Sequence, residues 1–186
     1  GQGGLRRGGA ITKQALGFPR HSTRPTRAFA PEISESVHTL HGGKVAAAHI
    51  ALERDYTQAE PILCYEGEIR QVLANLIGNA IDALSAVSQP RLKIRVRQLH
   101  ELKGRRNGIS VSIADNGPGI KREALARIFE PFYTTKGLSG TGLGLWVSQE
   151  IIEKHGGFIH VRTSTAPQRH GTVFNVWLTA DPRFKR

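Results

Sequence analysis

The chain has 186 residues, 39% of them hydrophobic and 22% charged, with a formal charge of +11; this suits one soluble globular domain plus a tail. No run approaches the roughly 18 uninterrupted apolar residues that a helical bilayer crossing needs, because the most apolar region, 69–87, is broken by Arg70, Gln71, Asn75, Asn79 and Asp82. The basic surplus is scattered, few aromatics interleave with it and no helix-turn-helix or ribonucleoprotein signature accompanies it, so solvated basic faces rather than a nucleic-acid partner are expected.

Residues 1–30 are rich in Gly, Arg, Pro and Thr and read as a linker, with a short apolar cluster at 11–18. They lack an apolar core followed by a small-residue cleavage site and so do not read as a signal peptide; the chain has no Met, so a processed or excised piece is expected. A helix is predicted over 32–48 from Ile33, Val37, Leu40, Val45 and Ala48, although Gly42-Gly43 interrupts it at a cost of about 1 kcal/mol each. A strand follows at 49–56. Cys64, alone in the sequence, excludes an internal disulfide, suits a reducing cytoplasmic compartment and reads as a small core or edge residue.

The strongest helix signal covers 68–86, where Ile69, Val72, Leu73, Leu76, Ile77, Ala80, Ile81 and Leu84 form a wide apolar stripe. Two alternating strands follow at 91–100 and 109–114, with the turn between them at 103–108. A short helix is predicted at 121–129. A longer one at 143–155 stops at Gly156-Gly157, where His155 reads as a favourable partner for the helix dipole. Strands at 158–163 and 172–178 close the domain, joined by a polar loop containing Pro167, and residues 182–186 form a basic tail. The order predicts an α/β (α+β) two-layer sandwich over 31–181: a mixed, mostly antiparallel sheet of about five strands, covered on one face by about three helices.

Three features carry chemistry. Gln71, Asn75, Asn79 and Asp82 share one helix face opposite the apolar stripe. Asparagine is a poor helix former, and its amide oxygen suits a hard cation such as Mg²⁺ that shares its shell with phosphates; a solvated face is the plainer reading. Asp115-Asn116-Gly117-Pro118-Gly119-Ile120 follows a strand and reads either as a plain turn or as an acid placed to accept from an amino group, with glycines that let a flat ring approach. Gly137-Leu138-Ser139-Gly140-Thr141-Gly142-Leu143-Gly144-Leu145 runs into a helix, where loop amides and the helix dipole favour an anion; it is neither a Walker loop nor a dinucleotide fingerprint.

Together and in this order, these stretches resemble the histidine-kinase branch of the ATPase superfamily that includes DNA gyrase B, the ninety-kilodalton heat-shock chaperone and the mismatch-repair ATPases. Gln71-Val-Leu-Ala-Asn75-Leu-Ile-Gly-Asn79-Ala-Ile-Asp82-Ala resembles the asparagine box, Asp115 to Ile120 the first glycine box, and Phe129-Glu-Pro-Phe132-Tyr133-Thr-Thr-Lys136 the phenylalanine box. Gly140 to Leu145 resembles the second glycine box, and Gly171-Thr172-Val-Phe a final Gly-Thr strand.

The resemblance implies a Bergerat ATP-binding fold and Mg-ATP as ligand. It implies that Asn79 ligates Mg²⁺ with Asn75 in support, and that Asp115 recognises the adenine amine. Gly117, Gly119 and Ile120 would pack near the ring, with Thr172 acting through water. Gly140, Thr141, Gly142, Leu143, Gly144 and Leu145 would hold the phosphates, and 129–139 would form a mobile lid. Lys136 reads equally as a phosphate contact or a solvated lid residue.

Hydrolytic members carry a Glu one turn before the metal-binding Asn. That place here is Asn75, which has no basic lone pair at neutral pH, so phosphoryl transfer to an external imidazole is favoured over hydrolysis. None of the eight histidines, His21, His38, His41, His49, His100, His155, His160 and His170, has the acceptor-helix context. The resemblance therefore implies a histidine-bearing dimerisation hairpin of the same parent before residue 1, of which 11–18 resembles the end and through which alone the parent would homodimerise. It also implies a response regulator as partner and a cytoplasmic location, with the parent free to be anchored in the inner membrane. A nucleotide-binding regulatory module without phosphotransfer is the alternative.

Overall fold

The computed structural model describes residues 24–100, 107–135 and 142–184. In chain order these form β1 (Thr26–Ala28), α1 (Ala30–Ala47), β2 (Ala51–Tyr56), β3 (Ile62–Cys64), α2 (Glu66–Ala83), β4 (Arg91–Leu99), β5 (Gly108–Asp115), α3 (Arg122–Leu125), α4 (Gly144–Lys154), β6 (Phe158–Ala166) and β7 (Arg169–Thr179). Five strands make one sheet in the order β2-β4-β5-β7-β6, parallel only between β2 and β4. This is the expected mixed, mostly antiparallel architecture.

Alternation decides which face is buried. Leu92, Ile94 and Val96 of β4, Ile109, Val111 and Ile113 of β5, and Phe174, Val176 and Leu178 of β7 are buried on one face. The helices cover that face. α2 lies in the middle, packed on α1, α4 and β5, while α1 reaches β2 and β4 and α4 reaches β6 and β7. The apolar stripe predicted for α2 is the buried one, from Ile69 to Ile81. The other sheet face is polar: Lys93 pairs with Glu53, Arg95 and Arg97 share Asp55, and Ser110 and Ser112 both donate to Asn175 Oδ1.

Several boundaries differ from expectation. Thr26–Ala28, inside the stretch read as linker, pairs antiparallel with Ile62–Cys64, and Arg27 contacts the Ala180 carbonyl and Asp181. α1 runs unbroken through Gly42 and Gly43, because Val37 and Val45 on either side are buried. The helix expected at 121–129 contracts to four residues. Strands β6 and β7 extend towards each other until only Pro167 and Gln168 separate them. Cys64 is fully buried in β3, and burial pushes its thiol up to about 11. No helix of the described residues is long and apolar enough to cross a membrane. The cluster at 11–18 and the 103–106 part of the predicted turn lie outside the described residues.

Candidate functional site

Burying one side of α2 fixes the direction of the other. Asn75 and Asn79 are half-buried on that side, whereas Gln71 and Asp82 are exposed. Asn75 Nδ2 lies 3.3 Å from both the Gly144 carbonyl and Ser148 Oγ on α4. A carbonyl only accepts, so Asn75 donates to it through its amide nitrogen. Ser148 is fully buried and donates to the Gly144 carbonyl at 2.7 Å. The polar face of α2 is thereby joined to the first turn of α4.

Asp115 ends β5, opposite Leu92 on one side and Thr172 on the other. Its Oδ1 accepts from the Gly117 amide at 2.8 Å. Burial raises its pKa from 3.8 to about 6, opposed by backbone hydrogen bonds from Gly117 and Thr172. The Gly117 backbone rests against the last turn of α2 at Ala83. Gly119 has φ +81°, and a Cβ there would fall 2.0 Å from the Ser164 carbonyl oxygen, so no other residue fits. The Ile120 amide donates to Thr163 Oγ1 at 2.8 Å, and Thr163 Oγ1 lies 2.9 Å from Thr172 Oγ1. From the β6–β7 hairpin, His170 Nδ1 donates to the Gly117 carbonyl at 2.6 Å.

Of the glycine-rich stretch, the residues from Gly142 onward are described. Gly142 has φ +69°, and a Cβ there would strike the Phe132 backbone at 2.4 Å. The Phe132 amide donates to the Gly142 carbonyl at 2.9 Å, and Phe132 itself has φ +67° and a side chain 76% exposed. Phe129 and Leu145 pack against the core, and Leu143 precedes the first residue of α4. Lys136, Gly140 and Thr141 lie outside the described residues. α2 thus connects two polar clusters: Asn75 with the start of α4 near its middle, and the Asp115 loop with Thr163 and Thr172 at its C-terminal end.

A family profile described as "Histidine kinase-, DNA gyrase B-, and HSP90-like ATPase" matches residues 64–182. The chain belongs to this ATPase family. It is similar to the signal transduction histidine-protein kinase AtoS of Escherichia coli (strain K12), 33% identical over 175 residues, which covers 93% of this chain and 27% of AtoS. The sensory histidine kinase/phosphatase NtrB of Vibrio alginolyticus is 34% identical over 159 residues, or 83% of this chain and 45% of NtrB. The chain therefore spans less than half the length of these relatives. Among solved structures, the nucleotide-free catalytic domain of histidine kinase ThkA superposes with a TM-score of 0.72 at 29% identity, covering 86% of this chain and 100% of that one. ThkA in complex with response regulator protein TrrA gives 0.67 at 26% identity, covering 92% and 46%.

Within this ATPase domain, three residues around the site were not singled out for it in the sequence. Thr163 and Ser148 carry a legible signal. Thr163 follows Ile159 and Val161 on the half-buried side of β6, and Ser148 falls between Leu145 and Ile152 on the inner side of α4. A polar residue on an apolar face asks for a partner. The contact of His170 with Gly117 depends on a hairpin folding back, which no local pattern announces.

Proposed function

We propose that the domain binds Mg-ATP between α2, the Asp115 loop and the start of α4, and presents the γ-phosphate to a histidine imidazole on a dimerisation helix of the same parent protein. The observation that carries this is Asp115: a half-buried carboxylate, anchored through one oxygen by Gly117, at the mouth of a glycine-bounded turn. In its ionised form it accepts a hydrogen bond from an exocyclic amine, and Gly117, Gly119 and Ile120 leave the ring plane open. Thr172, held against Thr163, supports the carboxylate from β7.

The donor set fits a cation that arrives with the phosphates. Among the described residues no group of three or more His, Cys, Asp or Glu gathers to hold a metal, and the polar face of α2 offers amide oxygens. Mg²⁺ keeps several waters and takes few protein ligands. Asn79 is the assigned ligand, with Asn75 supporting. When bound, Mg²⁺ neutralises charge on the phosphate oxygens. Gly140, Thr141, Gly142, Leu143, Gly144 and Leu145 supply backbone donors, and Lys136 is a candidate phosphate contact. Asn75 provides no base for water, which favours transfer to an external nucleophile.

The similarity to sensor kinases, and the ThkA–TrrA complex, support a response regulator as the downstream partner and a cytoplasmic place for the domain. Calorimetric titration with Mg-ATP tests the reading. Asp115→Asn and Asn79→Ala should each weaken binding about 10–100-fold, the worth of one charge-assisted contact. A supplied histidine hairpin should take label from γ-labelled ATP with the unaltered domain. Unchanged affinity in both variants would remove the assignment.

A further inference from the structure

The Asp115 loop is held from both strands that flank β5. On the β4 side Asn116 is pinned three ways. Its Oδ1 accepts from the Arg91 amide at 2.6 Å, its Nδ2 donates to the Gln89 carbonyl at 2.9 Å, and its own amide donates to the Arg91 carbonyl at 3.3 Å. Gly117 follows and has no side chain to pin. Glycine has the widest choice of backbone angles, so its place depends on what holds the peptide groups on either side of it.

β7 supplies the second hold. The β5–β7 ladder ends at Asp115, opposite Thr172, whereas β7 begins three residues earlier at Arg169 and is paired there with β6. Arg169, His170 and Gly171 therefore overhang the loop. The approach is close: a Cβ on Gly171 would fall 2.2 Å from the Asp115 carbonyl oxygen. Ser164, which pairs with Gly171 across the hairpin, lies as tightly against Gly119. From this shelf His170 Nδ1 donates to the Gly117 carbonyl at 2.6 Å, and His170 is the donor to that carbonyl among the described residues. A carbonyl only accepts, so the ring carries a proton on Nδ1.

Gly117 is thus gripped on both sides. Its carbonyl goes to His170, and its amide goes to Asp115 Oδ1 at 2.8 Å. Its Cα also rests on the end of α2, where a Cβ would lie 2.9 Å from the Ala83 carbonyl oxygen. The direction of the Gly117 amide sets the rotation of the Asp115 carboxyl, and His170 sets the direction of Gly117. We propose that His170 is a positioning residue for base recognition, which aims the Asp115 carboxylate at an exocyclic amine by holding Gly117. This rests on the reading of Asp115 as the amine acceptor. His170 is itself exposed, where water readily replaces a lost hydrogen bond, so its effect lies in orientation rather than in folding.

The test is calorimetric titration of the full chain with Mg-ATP and with the magnesium complex of purine riboside triphosphate, which lacks the exocyclic amine. His170→Ala should weaken Mg-ATP binding about 3–10-fold and change the affinity for the amine-free nucleotide by less than about 2-fold. His170→Asn, whose amide nitrogen donates from nearly the place of Nδ1, should restore Mg-ATP binding to within about 2-fold. In an Asp115→Asn background, His170→Ala should cost less than about 2-fold more, because the two residues act as one unit. Equal weakening for both nucleotides, full retention of Mg-ATP binding, no rescue by His170→Asn, or additive losses with Asp115→Asn would overturn the proposal. If Asp115→Asn leaves Mg-ATP affinity unchanged, the reading of the site falls with it; if Asp115→Asn weakens binding and His170→Ala does not, the role of His170 alone falls.

Discussion

Asp115 serves two opposed demands. Its folded pKa of about 6 lies above the reference 3.8, because burial disfavours the charge more than the Gly117 and Thr172 amides favour it. The stability it contributes is therefore fully present below pH 3.8 and lost as pH rises through about 6. At pH 7.5 the ligand-free domain carries a strained carboxylate. Asp115→Asn should then unfold at higher urea concentration, a gain of about 1–3 kcal/mol, while losing nucleotide affinity. A lower urea midpoint for the variant would contradict this account. For the unaltered chain, ATP affinity measured across pH 5–8 should fall below about pH 6, where the carboxyl protonates and stops accepting. The place of Asp115 at a strand end was legible, since the alternation through Ile109, Val111 and Ile113 stops there. Its burial was not, because that depends on Thr172 arriving from nearly sixty residues away along the chain.

Among the elements, the seam between α2 and α4 is tied at both ends. Asn75 meets Gly144 and Ser148 at one end; at the other, His155, the residue that caps α4, accepts from the Tyr65 amide at the start of α2, at 3.1 Å through Nε2. Nδ1 donates to the Ile151 carbonyl at 2.7 Å, so the buried ring is neutral. His155 stands at the C-terminal end of α4 as expected, and burial lowers its pKa, outweighing the hydrogen bond to the Ile151 carbonyl. An unfolded histidine titrates near 6.5 and the folded one lower, so stability is complete above that pH and is lost as pH falls through the window beneath it. His155→Gln should flatten this acid limb of the urea midpoint against pH, and an unchanged limb would assign it to other groups. Ser148→Ala should cost about 1 kcal/mol by leaving Asn75 with one acceptor fewer. The long helices and strands were readable because each spans several periods. β1 and β3 were not, since three residues carry no period and pair only once the rest of the chain places them.

For the whole molecule, these contributions meet in one cooperative unit, since a single core joins all three long helices to the sheet. Nucleotide that binds only the folded state adds stability as RT ln(1 + [L]/Kd), about 2.7 kcal/mol at a hundredfold excess over Kd. In a domain of this size each kcal/mol raises Tm by about 2–4 °C, so saturating Mg-ATP should raise it by roughly 5–10 °C. Asp115→Asn should invert the pattern: a higher Tm without nucleotide and little rise with it. The two effects share one residue but have different causes, desolvation of a charge in the empty site and recognition of an amine in the filled one. Scanning calorimetry of both proteins with and without Mg-ATP separates them. A variant that starts lower, or that shifts as far as the unaltered chain, would show that the carboxylate contributes to the fold rather than to the ligand.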